Sequence, residues 1–354
     1  MSIRLLRRAV FTTLLLPASV LAQTERVTLT GAEVGIYNLV GTLKVEGGGG
    51  SDVVVEVTRA GRDAQRLTVQ RGEVRGRPAL RILYPEDRIV YPRDDRYDYN
   101  SRSTFSVSDD GTFGDDDRRG WTRGRRIEVR SGGDGLEAHA DLRVIIPKGK
   151  TVYLRHGIGE TTIDNVDGRL NVSVAASRVR ASHVRGAMSL DTGSGGVEVT
   201  DMTGDLDLDA GSGGAVLDGV RGGKLNMDIG SGSLRGRALD VSELVADVGS
   251  GGIRLTEVKT PRLHLETGSG GSDVELLGPV EEVQVEAGSG GVTLRLPANL
   301  GAAVDIETGS GGIDTDFEVK VQRMERHALR GTVGDGRARV RIEAGSGTVR
   351  LLKR

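Results

Sequence analysis

The chain has 354 residues, among them 54 glycines, four phenylalanines and one tryptophan, and its formal net charge is −2. So few aromatic side chains cannot fill a wide core, and a nearly balanced charge gives no basis for nucleic-acid binding. The absence of cysteine excludes a disulfide framework and thiol catalysis. These features favour a long repeat array with a narrow aliphatic core over two ordinary domains.

The first 22 residues have the order of a secretory signal peptide. Residues 1–8 are basic, residues 9–16 are apolar, and small residues lead to a cleavage site at Ala22. The apolar run is too short for a membrane span, and no second stretch of spanning length follows. We therefore expect an exported protein without a transmembrane segment, soluble after signal cleavage, in a bacterial periplasm or outside the cell.

Residues 23–130 are predicted to form an N-terminal β region that caps the repeat array or begins it irregularly. Short strand patterns separated by glycine-rich turns lie at 36–39, 42–45, 53–57 and 80–83. Between residues 84 and 126 this pattern fails, and Asp, Arg, Tyr and Ser predominate. A polar insertion of this length is either functional or disordered.

The insertion supplies the candidate ligand-binding residues. Its aromatic side chains could stack on sugar rings or on a protein partner. These residues are Tyr84, Tyr91, Tyr97, Tyr99 and Trp121. Its acidic run is a candidate calcium site, because Ca²⁺ takes oxygen ligands, although the spacing is not that of an EF-hand. The candidate ligands are Asp109, Asp110, Asp115, Asp116 and Asp117; a solvated loop is the alternative.

One repeat dominates residues 131–354. The triplet Gly-Ser-Gly begins at Gly193, Gly211, Gly230, Gly249, Gly268, Gly288, Gly309 and Gly345, so the intervals are close to nineteen residues except for the last. A fixed period of this size is typical of a solenoid. Alternating apolar residues before and after each triplet indicate short strands with one buried face, and no amphipathic helix intervenes. We predict an all-β, right-handed parallel β-helix with about 19 residues per coil.

Glycine at the triplets is expected to serve coil geometry. Sharp corners need either positive φ or closely stacked backbones without a Cβ. A phosphate-binding loop is disfavoured because no triplet completes G-x-G-x-x-G before a helix.

The interval of 36 residues between Gly309 and Gly345 predicts a hairpin at 317–341 that replaces a regular turn and covers the C-terminal end.

An acidic residue stands two positions before each triplet. These residues are Asp191, Asp209, Asp228, Asp247, Glu266, Glu286, Glu307 and Glu343. In a β-helix they would form a ladder of like charges. We interpret the ladder as structural, each carboxylate accepting hydrogen bonds from the N–H groups of its own turn. Calcium binding along the ladder is the alternative, although the nine-residue calcium repeat is absent.

The sequence resembles one bacterial family. Leu-Arg-Val-Ile-Ile-Pro-Lys-Gly at 142–149, followed by repeats of acidic-x-Gly-Ser-Gly-Gly-Val, resembles the bacterial putative-adhesin β-helix family of unknown function. The resemblance covers roughly residues 27 to 352. It implies an exported, non-catalytic right-handed β-solenoid, and it leaves the insertion at 84–126 without a role.

The function predicted from the sequence is a binding or structural module of the cell envelope that engages a surface polysaccharide or protein, without a cofactor. The five histidines are scattered and form no zinc motif. A carbohydrate-active β-helix enzyme, a lyase or a hydrolase, is an alternative in which paired carboxylates such as Asp207 and Asp209 act as acid and base. A structural protein that self-associates through its solenoid ends is a further alternative.

Overall fold

The computed structural model describes residues 24–91, 102–114 and 124–354. The described chain is almost entirely β-strand, apart from one 3₁₀ turn at Ala64–Arg66. Its strands form two long sheets, here called sheet A and sheet B, and a third sheet of three strands. The predicted signal peptide lies outside the described residues.

Sheet A contains β1 (Thr24–Leu29), β3 (Leu43–Gly48), β4 (Val53–Ala60), β10 (His139–Pro147), β12 (Thr161–Asp164), β14 (Val179–Ser182), β16 (Val197–Thr200), β18 (Ala215–Asp218), β20 (Leu234–Arg237), β22 (Ile253–Val258), β24 (Ser272–Leu276), β26 (Val292–Leu296), β28 (Ile313–Thr315) and β32 (Val349–Lys353). Sheet B contains β2 (Glu33–Val40), β5 (Thr68–Val74), β6 (Arg77–Leu83), β11 (Lys150–Ile158), β13 (Asp167–Ala176), β15 (Arg185–Ser194), β17 (Leu206–Ala210), β19 (Arg221–Ile229), β21 (Asp240–Val248), β23 (Arg262–Thr267), β25 (Glu282–Ala287), β27 (Ala302–Thr308), β29 (Val319–Glu325), β30 (Ala328–Val333) and β31 (Ala338–Ala344). The third sheet contains β7 (Arg88–Val90), β8 (Arg102–Val107) and β9 (Arg125–Arg130).

Successive repeats stack as parallel strands in both sheets. Leu206 in β17 lies opposite Met188 in β15 on one side and Leu225 in β19 on the other. Alternate residues of each strand point inward, where Leu206 and Leu208 are buried, and the residues between them are exposed. Each repeat thus gives one strand to each sheet, and the narrow space between the sheets is filled by aliphatic side chains. The prediction of an all-β fold built from long parallel sheets is confirmed.

The glycines of the triplets are required by the close stacking of coils. A Cβ added at Gly230 would lie 2.5 Å from the carbonyl oxygen of Gly211, and one added at Gly251 would overlap the carbonyl oxygen of Gly232. Among the triplet glycines only Gly195 has positive φ. Close stacking of backbones, and not positive φ, is therefore the reason for glycine at nearly all of these corners.

The beginning of the chain forms a coil inside the stack. Strand β2 lies between β6 and β11 in sheet B, and β3 lies between β10 and β12 in sheet A. Residues 33–48 therefore stack as one coil, the chain then leaves the solenoid, and it returns at β10. The excursion adds β4 to sheet A and β5 and β6 to sheet B, and β1, which precedes the coil, pairs with β4, so these strands cover the N-terminal end.

The end of the chain also lies inside the stack. Strand β31 lies between β25 and β27, and β32 lies between β26 and β28. The coil that follows β26 in the sequence is consequently the outermost one. The predicted hairpin is present as β29 and β30, and β30 pairs antiparallel with β27. The hairpin stands between β28 and β31, where other coils have a short turn, and the coil that follows it stacks out of sequence order, with Gly345 between Gly288 and Gly309.

Part of the polar insertion is folded as β-sheet. Strands β7 and β8 flank β9, and Phe105, Val107 and Ile127 are buried. The expectation that strand structure fails throughout 84–126 is therefore wrong for these segments. Alternation of apolar and polar residues in β8 gives it one buried face, in spite of the polar composition around it.

Candidate functional site

The predicted acidic ladder exists as one continuous row on the outer face of sheet B, which we call the acidic row. In spatial order its members are Asp191, Asp209, Asp228, Asp247, Glu266, Glu286, Glu343 and Glu307. Each carboxylate lies directly opposite the next in a parallel register. At about 4.8 Å per strand, the row extends over about 34 Å.

Chain excursions bound the acidic row at both ends. Before Asp191 the same register position is taken by Ser173, Arg155 and Tyr37. Phe113 of the insertion lies edge-on to Tyr37, with ring centroids 6.2 Å apart, and Arg155 is buried beneath this loop. Beyond Glu307, the hairpin strand β30 pairs with β27, and β29 then forms the edge of the sheet. Within the described residues, this register position carries an unbroken run of carboxylates between the two excursions.

The carboxylates do not cap the first two N–H groups of their turns. The N–H of Gly211 donates to the carbonyl oxygen of Thr192 at 2.9 Å, and that of Ser212 donates to Gly193 at 3.1 Å. The equivalent donors at Gly249 and Ser250 likewise use carbonyl groups of the preceding coil. The capping hypothesis is wrong for these groups because stacking already supplies their acceptors.

The members of the acidic row differ in their electrostatic environment. Burial raises the pKa of Asp209, and the neighbouring carboxylates of Asp228 and Asp207 raise it further. Side-chain donors accompany two members of the row: Gln284 Nε2 donates to Glu286 at 2.8 Å, and Arg341 Nε donates to Glu343 at 2.8 Å. These contacts lie at the C-terminal end of the row.

A neighbouring row on the same face differs from the acidic row in charge pattern. It alternates basic and acidic residues, and its members pair with each other. Lys224 Nζ lies 2.7 Å from Glu243, and Arg339 lies 3.3 Å from Glu282. The uniform sign of the acidic row is therefore a property of that one register position and not of the whole face.

Residues 24–91, 102–114 and 124–354 contain no group of three or more His, Asp or Glu side chains that could hold a metal ion. The acidic row supplies one carboxylate per coil along a straight line. A site for Ca²⁺ would need six to eight oxygen ligands around one point. The calcium hypotheses therefore gain no support from the geometry of these ranges.

Two of the candidate ligand-binding tyrosines are core residues. Tyr84 is 4% exposed, and its hydroxyl lies 2.9 Å from the carbonyl oxygen of Val40 and 3.0 Å from Asn38 Oδ1. Burial raises its pKa. Tyr91 is buried and packs edge-on against His139 at a centroid distance of 5.1 Å. The prediction that they stack on a ligand is wrong because neither ring is accessible.

The other insertion candidates divide into described and undescribed residues. Asp110 Oδ1 accepts hydrogen bonds from the N–H of Thr112 at 3.0 Å and from its hydroxyl at 2.7 Å, and Oδ2 lies 3.4 Å from Arg81. Asp110 therefore shapes its own loop, and Asp109 is exposed beside it. Six candidates lie outside the described residues: Tyr97, Tyr99, Asp115, Asp116, Asp117 and Trp121.

The carboxylates proposed for an enzyme lie on the open face of sheet B. Asp207 and Asp209 are two residues apart in β17, and Asp207 Oδ1 accepts a hydrogen bond from Asn226 Nδ2 at 2.8 Å. The register neighbours of Asp209 are also acidic, whereas those of Asp207 are Ser189 and Asn226. An acid–base pair works best where water is restricted, and this pair lies on a flat sheet surface.

Sequence reasoning missed a second feature, a groove on the outer face of sheet A, which we call the arginine groove. It is bordered by Arg235, Arg254 and Arg350, and its floor contains Gly252, Gly271 and Gly291. The only trace in the sequence is the fourth residue of Gly-Ser-Gly-Gly. Three arginines far apart in the chain come to border one groove only through the stacking of coils.

No helix within the described ranges is both long and apolar enough to cross a membrane.

Comparison with curated proteins gives no match. A crystal structure described as a putative cell adhesion protein from Clostridium sporogenes covers 94% of this chain and 99% of its own, at 8% identity and a TM-score of 0.22. A TM-score of this size does not establish a shared fold. Residues 140–352 match the family described as Toastrack DUF4097, and since this is more than half of the sequence, the chain belongs to that family.

Proposed function

We propose that this protein is an exported, non-catalytic, adhesin-like binding module of the bacterial cell envelope, and that its contact surface is the acidic row. Cleavage after Ala22 belongs to this proposal. So does right-handed winding with about 19 residues per coil, which the general preference for right-handed crossovers supports. The observation that carries the proposal is the continuous register of eight carboxylates on an open face.

A uniform row of carboxylates costs folding free energy. Two unit charges one strand spacing apart in water repel by about 1 kcal/mol, before screening by salt. The N–H groups of the first two turn residues use backbone acceptors, so these bonds do not offset that cost. A row that opposes folding is explained most simply by a ligand that it attracts.

The row suits a partner with repeated positive charges. Parallel strands hold the carboxylates at a fixed spacing, so their arrangement is set before binding and little order must be created. A basic surface protein or a polymer that carries cationic groups could follow the row along the solenoid axis. Such contacts would weaken as salt concentration rises.

The test compares two variants with the same change in net charge. Asp228→Asn/Asp247→Asn removes two adjacent members of the acidic row. Glu243→Gln/Glu282→Gln removes two paired acids from the neighbouring row of the same face. We expect the first variant to lose retention on immobilised poly-L-lysine and on the producing cells, and the second to bind as the unmodified protein. Equal loss in both variants would refute the row as the contact surface.

A carbohydrate-active enzyme is the second candidate function, and it rests on Asp207 and on the raised pKa of Asp209. Incubation with a panel of acidic polysaccharides, followed by product sizing, separates the two. Chain cleavage that disappears in Asp207→Asn or Asp209→Asn would overturn a non-catalytic role.

Structural self-association is a third candidate, and the free edge of sheet B favours it. In β29, Val321 and Met324 are 50% and 75% exposed. Exposed apolar residues on an edge strand can pair with another chain. Sedimentation over a range of concentrations tests this: a single monomeric species throughout excludes it.

Fractionating the producing cells tests whether the protein is exported.

A further inference from the structure

We infer that the arginine groove on sheet A binds a linear anionic polysaccharide along the solenoid axis. The groove has a volume of about 490 Å³ and crosses successive coils, where each chain enters its sheet A strand. It lies on the sheet opposite to the acidic row. The inference is therefore independent of the contact surface proposed above.

The floor of the groove is formed by glycines that coil stacking does not demand. A Cβ added at Gly271 would lie 3.2 Å from the carbonyl oxygen of Gly291, a tight contact that small shifts can relieve. Ser233 and Thr348 occupy the same position, one residue before the strand, in other coils. A side chain is thus tolerated at this position, unlike at the first and third glycines. The missing side chains keep the floor open.

The floor offers backbone donors. Among the described residues, no acceptor receives a hydrogen bond from the N–H groups of Gly252, Gly271 and Gly291. The next N–H group in each coil is satisfied, as in Ser272, which donates to Gly291 at 2.9 Å. Gly271 and Gly291 are exposed. An exposed N–H group without a protein acceptor is available to donate a hydrogen bond to a bound anion.

The border of the groove has an excess of positive charge. Arg235 and Arg254 lie directly opposite each other in adjacent strands, so two like charges are neighbours. Asp273, the acidic residue of the border, pairs with Arg295 and also lies 4.0 Å from Arg254, so one carboxylate is shared by two arginines. Arg350 has no hydrogen bond or ion pair among the described residues. An anionic group bound here would relieve the repulsion between the two adjacent guanidinium groups.

The charge density of the groove favours a polysaccharide. Three arginines and one aspartate are distributed over four strand spacings, about 19 Å. Duplex DNA presents one charge per about 1.7 Å and would leave most of its phosphates uncompensated. No aromatic residue lines the groove, so stacking of bases is not provided. A chain with about one carboxylate or sulfate per sugar matches this spacing better.

The experiment measures binding of the full chain to polygalacturonate and to dextran sulfate, with neutral dextran as the reference. Arg235→Gln/Arg254→Gln removes the adjacent pair. Arg180→Gln/Arg237→Gln is the matched control, because both arginines lie on the same outer face and are ion-paired with carboxylates outside the groove. We expect about a tenfold or greater increase in Kd for the first variant and less than about twofold for the control. The dextran sulfate arm shows whether sulfate can replace carboxylate.

A second variant tests the floor without changing charge. Gly271→Ser places in this coil the residue that Ser233 already provides elsewhere, so the fold is expected to persist. It should weaken polygalacturonate binding severalfold by filling the floor. Unchanged binding by Arg235→Gln/Arg254→Gln, or an equal loss in its control, would overturn the inference, and unchanged binding by Gly271→Ser would refute the role of the floor. The acidic-row variants should bind polygalacturonate at least as well as the unmodified chain, which distinguishes the two surfaces.

Discussion

Asp209 in β17 lies directly opposite Asp228 in β19, so two carboxylates of the acidic row are neighbours across one strand spacing. Burial raises the pKa of Asp209, and Asp228 raises it further. Ionisation of Asp209 therefore opposes folding at neutral pH. The most regular feature of this surface is maintained against the stability of the fold, and this is why we assign it to binding.

Replacing Asp228 with Asn should stabilise the protein. Like charges opposite each other on a sheet are destabilising by a few tenths of a kcal/mol, and this repulsion would be removed at pH 7. Because the pKa of Asp209 is raised in the folded state, the gain should shrink as pH falls and the carboxylates become protonated. Urea unfolding at pH 7 and at pH 4 measures both effects. Glu243→Gln, which loses an ion pair with Lys224, should show no gain; a loss of stability in Asp228→Asn at pH 7 would contradict the argument.

The third glycine of a triplet should be far less tolerant than the fourth. In Gly251→Ala the new Cβ would overlap the carbonyl oxygen of Gly232, so adjacent coils must separate. We expect a loss of about 3 kcal/mol or more, at the upper end of overpacking effects. Gly271→Ala is the control, with its Cβ 3.2 Å from the nearest carbonyl oxygen, and should cost less than about 1 kcal/mol. Thermal unfolding followed by circular dichroism compares the two, and similar midpoints would show that stacking is not the reason for the glycine.

His156 should make the N-terminal end sensitive to acid. Its Nε2 donates to the carbonyl oxygen of Gly41 at 2.9 Å, and its Nδ1 lies 2.8 Å from Thr161 Oγ1, so the neutral ring joins the first coil to the next. Burial lowers its pKa to about 4, against the opposing effect of the bond to Gly41.

The lowered pKa fixes the direction of the pH effect. The unfolded chain takes up a proton near pH 6.5 and the folded chain only near pH 4, so stability is lost as pH falls through this window, by about 3 kcal/mol. His156→Gln should be less stable at pH 7 but should lack this part of the pH dependence. His183→Gln, at an exposed histidine, is the control. The same acid sensitivity in His156→Gln and in the unmodified protein would exclude His156 as its source.

Engineered disulfides can test the position of the last coil. Gln284 and Arg341 are register neighbours, whereas Asp305 lies one strand further away, beyond Arg341. Because a disulfide requires Cα atoms within about 7 Å, Gln284→Cys/Arg341→Cys should oxidise readily and Gln284→Cys/Asp305→Cys should not. The natural chain has no cysteine that could interfere. Oxidation of the second pair in place of the first would show that the coils stack in sequence order.

The hydroxyl of Tyr84 should matter for stability and not for ligand binding. It contacts Val40 and Asn38 inside the N-terminal region. Tyr84→Phe leaves those buried partners unsatisfied and should cost about 1–3 kcal/mol. Binding to poly-L-lysine and to polygalacturonate should not change in protein that remains folded. Lost binding with unaltered stability would return Tyr84 to the candidate ligand contacts.

Local features of the sequence were sufficient for the repeat and for the acidic row. Alternation at positions such as Leu206 and Leu208 reflects strand geometry, and a constant period places equivalent residues in one line. The tyrosines show where local reasoning fails. Tyr84 stands in a polar stretch, and its burial depends on contacts with residues more than forty positions away, including Val40. Composition around a residue does not reveal such contacts.

The sequence by itself determined that this chain forms stacked parallel coils, because only closely packed backbones require glycine at the same points of every repeat. The tertiary structure decided the order of the coils. The coils that carry Gly309 and Gly345 have nearly the same residue pattern. The repeat alone therefore allows either β27 or β31 to pair with β25. The antiparallel pairing of β30 with β27 fixes β27 at the outside and β31 within the stack. The same stacking brings Arg235, Arg254 and Arg350 to one groove, and no local pattern in the sequence records that they meet.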